Sequence, residues 1–155
     1  MHVPFRQRVS NLSLILRETE GFFTVQLSHA MSLLDAARSE AARLGVTVSI
    51  SIMDAAAWPV AFIRMDGCPL GAIEVSQKKA RTAVLFQMDS AVFATIAQPG
   101  GAAYSLENTN GGLTSFGGGV VLKGADGSVL GAIGVSGAST EDDIAIARAA
   151  TQPAA

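Results

Sequence analysis

Phe62-Ile63-Arg64-Met65-Asp66-Gly67-Cys68-Pro69-Leu70, followed by Ser76-Gln77-Lys78-Lys79-Ala80-Arg81-Thr82-Ala83, marks a corner where a strand stops and a helix begins. Asp66-Gly67 reads as a turn, because glycine accepts positive φ without the cost a Cβ imposes. Pro69 fits the first turn of a helix, where its missing N–H would have had no partner. The helix is predicted from 69 to about Leu85, with Ile73, Ala80, Ala83 and Val84 facing inward and Glu74 and Lys78 spaced for an i,i+4 pair. A cation, a carboxylate, a thiol and a hydroxyl-bearing helix thus meet near one corner.

On the N-terminal side, Trp58–Met65 is a strand in which Val60, Phe62 and Arg64 share one face and Ala61, Ile63 and Met65 the other. It pairs as a hairpin, through Asp54–Ala57, with a preceding strand. There Val46, Val48, Ile50 and Ile52 alternate with Thr47, Ser49, Ser51 and Met53, giving one apolar face and one of small polar groups. Before that, Ala30, Leu34, Ala37, Ala41 and Leu44 form a stripe at helical spacing. The spacing predicts a helix over 29–44, with Ser28 as N-cap and Gly45 as a left-handed C-cap. Residues 1–24 read as an extension, with a short amphipathic helix through Val9, Leu12, Ile15 and Leu16 that straps onto the domain or a neighbouring subunit.

On the C-terminal side, Asp89 or Ser90 is placed to cap a short helix through Ile96, which Gln98-Pro99-Gly100-Gly101 ends. A glycine-rich stretch from Asn108 to Gly119 follows. Val120–Leu122 and Val129–Val135 are strands joined by a turn at Lys123–Gly127. Gly131 and Gly134 imply close approach of another backbone or a helix. Thr140 is expected to cap the last helix, with Asp142 and Asp143 at its positive end. The order helix, hairpin, two helices, hairpin, helix predicts an α+β layered domain with a mainly antiparallel sheet.

The chain has 155 residues, enough for one domain with a sizeable core. Hydrophobic residues make up 49% and charged residues 15%, against roughly 25% charged in an average soluble domain. So few charges predict a buried interface between copies, a homo-oligomer. No apolar run reaches the roughly 18 residues of a membrane span. The formal charge is −2 with no basic run, which argues against a nucleic-acid partner. Cys68 is the sole cysteine, so an internal disulfide and a CxxC metal site are excluded, and no metal is expected. The apolar piece Leu12–Leu16 is too short for a secretory signal, which points to the cytoplasm.

Val48-Ser49-Ile50-Ser51-Ile52-Met53-Asp54, Val60–Gly67, Lys79-Ala80-Arg81-Thr82-Ala83, Phe116-Gly117-Gly118-Gly119 and Gly131–Gly137 together closely resemble the GlcG/HbpS-like family, also called domain of unknown function 336. The resemblance covers residues 27–150, within a domain bounded at 25–152, and Asp142 and Asp143 follow in the family's order. It implies a profilin-like sandwich, a sheet of about five strands covered by helices, and assembly into dimers or larger rings. Haem-binding proteins and the C-terminal domain of some cobalamin adenosyltransferases are relatives. Two departures stand out: Ala57 replaces a frequent glycine in the first hairpin turn, and Val121 replaces a frequent proline after Gly118-Gly119-Val120. The second weakens transfer of any relative's ligand to this chain.

Each candidate site residue has a structural alternative. Asp54 and Asp66 end strands and form turns, or sit with Arg64 and Lys79 around an anionic or carbonyl ligand, where Asp54, Asp66 or Lys79 would move a proton. Arg64 binds a carboxylate bidentately, or pairs with Asp66 or an interface acid. Thr82 packs, or aims its hydroxyl at a ligand. Met65 joins Arg64 at the corner. Gly118 and Gly119 cradle a ligand through backbone N–H groups, or permit tight packing. Haem needs an axial ligand and an apolar slot. His29, His2, Met65, Cys68, Met88 and Tyr104 are the candidates, His29 first, its alternative being an exposed surface histidine. No CxxCH supports covalent attachment. Three functions follow: a small-molecule-binding accessory protein, with haem as candidate cofactor and a place in small-molecule catabolism; an acid–base enzyme on a small organic acid or carbonyl compound; or a structural interaction subunit.

Overall fold

A computed structural model of the chain describes residues 24–152. The expected extension over 1–24, apart from its last residue, and His2 lie outside the described residues. The elements are α1 (Leu27–Leu44), β1 (Ser49–Asp54), β2 (Pro59–Arg64), α2 (Gly71–Phe86), α3 (Ser90–Ala97), a 3-10 turn at Leu106–Asn108, β3 (Gly119–Lys123), β4 (Val129–Ser136) and α4 (Thr140–Thr151). The strands form one antiparallel sheet in the order β2-β1-β4-β3. The sheet has four strands, not five: between α3 and β3, Pro99 and the glycines leave turns and no further strand.

β1 and β4 are central, and both their faces are buried. On one face Val48, Ile50, Ile52, Ile133 and Val135 pack with Leu33 and Leu34 of α1 and Ile146 and Ala147 of α4. The other face of β1 carries Ser49 and Ser51, which are also buried. α2 roofs them, and the Ser51 and Ser76 hydroxyls meet at 2.9 Å. The helix can lie that close because Gly134 has no side chain. A Cβ there would stand 2.0 Å from the Ser76 carbonyl oxygen.

Gly45 takes the expected left-handed cap, φ 72°, its N–H donating to the α1 carbonyls of Ala41 and Ala42. The start of α1 differs from expectation. Val25 N–H donates to Leu130 O, which ties the chain to β4 just before the helix. α1 therefore starts at Leu27 with Gln26 at the cap position, and Ser28 lies within the first turn. At α4 the cap is Ser139, not Thr140. Ser139 holds the extended geometry a cap needs, and its Oγ accepts the Asp142 N–H at 3.1 Å. Asp89 and Ser90 stand at the start of α3 but bond sideways. Asp89 accepts the Val121 N–H and Ser90 Oγ accepts the Gly119 N–H, pinning α3 to β3. Ala57 occupies its hairpin turn at φ 62°, the strained conformation that a glycine would adopt freely. Among the described residues no helix is long and apolar enough to cross a membrane.

Candidate functional site

The predicted site residues fall into three groups. The first is the corner itself. Arg64 ends β2, and Met65 to Cys68 form the turn, closed by Cys68 N–H donating to Met65 O at 3.1 Å with Gly67 at φ 82°. Ile63, Arg64, Met65 and Asp66 face Arg38 and Ala42 of α1 across a cavity of about 480 Å3. Asp54 is not part of it. It sits at the opposite end of the β1–β2 hairpin, since Ser49 pairs with Arg64. Five residues of strand separate them, about 17 Å. Its carboxylate accepts the Ala56 and Trp58 N–H groups at 2.9 and 2.8 Å and so shapes the turn.

The second group lies on the α2 side of the sheet. Lys79 is fully buried, and its ammonium donates to Asp143 Oδ2 at 2.7 Å and to the Val135 carbonyl at 2.8 Å. The second Asp143 oxygen accepts the Ala138 N–H at 3.1 Å. The Phe116 ring centroid lies 4.8 Å from the ammonium. Burial pushes Lys79 below its ordinary pKa and Asp143 above its own, against the attraction between them. Gly118 and Gly119 surround this pair. Added Cβ atoms would come within 2.7 Å of Lys79 Nζ and 2.2 Å of the Lys79 carbonyl oxygen. Thr82 is buried beside them; its hydroxyl donates to Lys78 O at 2.8 Å and accepts the Thr114 N–H at 2.9 Å. Lys79, Thr82, Gly118 and Gly119 are thus brought together, away from Arg64 and Asp66.

The third group surrounds His29. It is exposed in the first turn of α1 and lines a cleft of about 250 Å3 with Leu33, Val121, Leu122, Lys123 and Thr151. Sequence reasoning missed Arg38, Lys123 and the pairing of Asp143. Arg38 stood on the polar face of an amphipathic helix and Lys123 in a turn, where charged residues are ordinary. Asp143 is 64 residues from Lys79.

Comparison with known proteins places this arrangement. A family model described as "Haem degrading protein HbpS-like" matches residues 25–152. The chain belongs to the HbpS-like family. Its HbpS-like domain is 39% identical over 119 residues to the corrinoid adenosyltransferase PduO of Salmonella typhimurium, a match covering 76% of this chain and 35% of that protein. The chain therefore spans about a third of that relative's length. Among solved structures, the PduOC:heme complex is 35% identical with a TM-score of 0.78, covering 83% of this chain and 93% of that one. Klebsiella pneumoniae ORFY is 29% identical with a TM-score of 0.79, covering 82% and 88%.

Proposed function

We propose that this protein is a small-molecule-binding accessory protein whose ligand is haem, held at the His29 cleft. The carrying observation is that one cleft offers a histidine, apolar side chains at Leu33 and Leu122, the backbone of Val121, and Lys123. Haem asks for those groups: an axial nitrogen, an apolar slot, and a positive partner for its carboxylates. A relative 35% identical to this chain was solved as a haem complex, which supports the choice. Bound there, haem would supply the redox chemistry of its iron. His29 would orient it, the aliphatic residues would exclude water from the ring, and Lys123 would fix the carboxylate edge.

The cleft is smaller than the roughly 300–1,000 Å3 of most ligand pockets. Leu27 and Met31, one helical turn apart on the same helix, are 60% and 47% exposed. We therefore propose that a second copy of the chain covers the free side, as its low charge fraction also suggests. Sedimentation at micromolar concentration checks this; a stable one-chain species would remove the second copy from the account. A place in small-molecule catabolism rests on the likeness to part of a corrinoid adenosyltransferase. The acid–base enzyme reading is less well supported. Of Asp54, Asp66 and Lys79, only Asp66 lines the cavity of Arg64.

Haemin titrated into the purified protein tests the reading. The expected result is a saturable Soret shift at one haem per chain or per two chains, lost in His29→Ala and weakened in Lys123→Ala. A featureless spectrum at stoichiometric haemin overturns it.

A further inference from the structure

We infer that the free edge of β2 is an interaction surface for a second copy of this chain, whose own β2 adds antiparallel and extends the sheet across a two-fold axis. The two edges of the sheet are built differently. At β3 the outward N–H groups of Gly119 and Val121 donate to Ser90 Oγ at 2.8 Å and Asp89 Oδ1 at 3.1 Å, so the start of α3 closes that edge. At β2 the Met65 N–H donates inward to Val48 O, and Ile63 pairs opposite Ile50. The N–H and C=O groups of Phe62 and Arg64 therefore point away from β1. Among the described residues nothing takes them up. Nor is the edge blunted against pairing. Pro59 stands only at its first position, and Arg64, at its last, is its one charged residue.

The side chains beside that edge are open. Phe62 and Arg64 pair opposite Ser51 and Ser49, so they project on the α2 side of the sheet. α2 packs on β1, β4 and β3, and β2 lies to one side of it. Phe62 is 40% exposed as a result, and Trp58, just before the strand, 71%. A second copy is the occupant because the edge complements itself. With Phe62 opposite the partner's Arg64, two-fold symmetry makes the same pair twice and exchanges the outward N–H and C=O groups of both. Both pairs fall within the regular stretch Ala61–Arg64, short of the irregularity at Ile52 and Met53. Each guanidinium then lies beside an aromatic ring, and Ile63 faces the partner's Ile63 across the axis. A slip of one pair either way sets Arg64 against the partner's Arg64, a like charge, or against the partner's Val60 beside the bulge.

This contact is separate from the one proposed over the His29 cleft, which lies beside β3 at the opposite edge. Two different two-fold contacts on one chain build a larger symmetric assembly than a dimer. A charged fraction of 15% fits a chain that hides two such surfaces.

Sedimentation of the full chain at micromolar concentration reads the particle mass. Phe62→Lys sets a like charge opposite the partner's Arg64 and should lower that mass to about half or less. Adding Arg64→Glu to the same chain sets opposite charges face to face and should restore the mass, which also shows that the single variant had not unfolded. Ile63→Cys should join two chains through a disulfide when oxidised glutathione is added, whereas the parent, whose Cys68 is buried, should not link. In deuterium exchange the Phe62 and Arg64 amides should be protected in the parent and exchange about tenfold faster or more in Phe62→Lys. Haemin binding at the other edge should be unchanged in Phe62→Lys, so the haem reading and this contact fail separately. The inference is overturned if the parent is a one-chain species or if Ile63→Cys stays unlinked. It is overturned equally if the double variant stays dissociated. An unchanged mass in Phe62→Lys also overturns it, the edge then being bare or covered by residues 1–23 of the same chain.

Discussion

The two faces of the sheet divide the labour. The α2 face carries most of the recognisable motifs: Lys79–Ala83, Phe116–Gly119, Gly131–Gly137 and Asp143. Those residues are spent on packing. Glycines let α2 press onto β4, and Lys79 joins α2, β4 and the start of α4 through Val135 and Asp143. The α1–α4 face has a plain aliphatic core, yet both cavities open along α1, one at each edge of the sheet. A motif can mark the residues that a fold cannot do without, while both cavities are lined by less conspicuous residues along the opposite layer.

This contrast breaks most easily at the ion pair. Asp143→Ala leaves the Lys79 ammonium buried without its partner and should cost about 3–5 kcal/mol in urea unfolding. A cost below about 1 kcal/mol, the value of an exposed pair, would mean that the pair is not sealed from water. Gly134→Ala comes next. Its new Cβ would collide with the Ser76 carbonyl, so a loss at the upper end of the ~1–3 kcal/mol typical of overpacking is expected, with α2 displaced. A neutral result would show that α2 is free to move away from β4.

Replacing the whole pair is the gentler test. Lys79→Met with Asp143→Leu should be neutral or stabilising near pH 7, because the desolvation cost vanishes with the charges. The pH dependence has a definite sign. Burial raises the Asp143 pKa, so that group contributes stability below its ordinary value and loses it as pH rises through the folded value. Lys79 is lowered, so it contributes above its ordinary value and loses that as pH falls through the folded value. Between the two folded values both groups are charged and neither contribution is present. The double variant should therefore gain most over the parent near neutrality and least at either extreme. Stability curves that run parallel from acid to alkaline pH would contradict this.

How much of this was legible in the sequence follows from the range of each interaction. The α1 stripe, the Gly45 cap, both hairpins and the Glu74–Lys78 pair, at 2.9 Å, depend on neighbours within a few residues. Where tertiary contacts competed, local reading slipped. Ser28 lost its cap role to the tether between Val25 and Leu130, and the face of small polar groups that includes Ser51 forms a buried layer. At the sites, Arg64, Met65 and Asp66 were legible as one corner because they adjoin in sequence. Lys79 was grouped with them because nothing local revealed that α2 turns it toward an aspartate near the other end of the chain.

The proposed haem site lies along α1 and not among the motifs around Lys79. NMR of 15N-labelled protein with stoichiometric haemin locates the iron directly. The expected result is loss of amide signals over residues 27–33 and 121–123, with Thr82, Thr114 and Gly117–Gly119 retained. Signal loss centred on Thr82 and Gly117–Gly119, with His29 and Lys123 untouched, would contradict it.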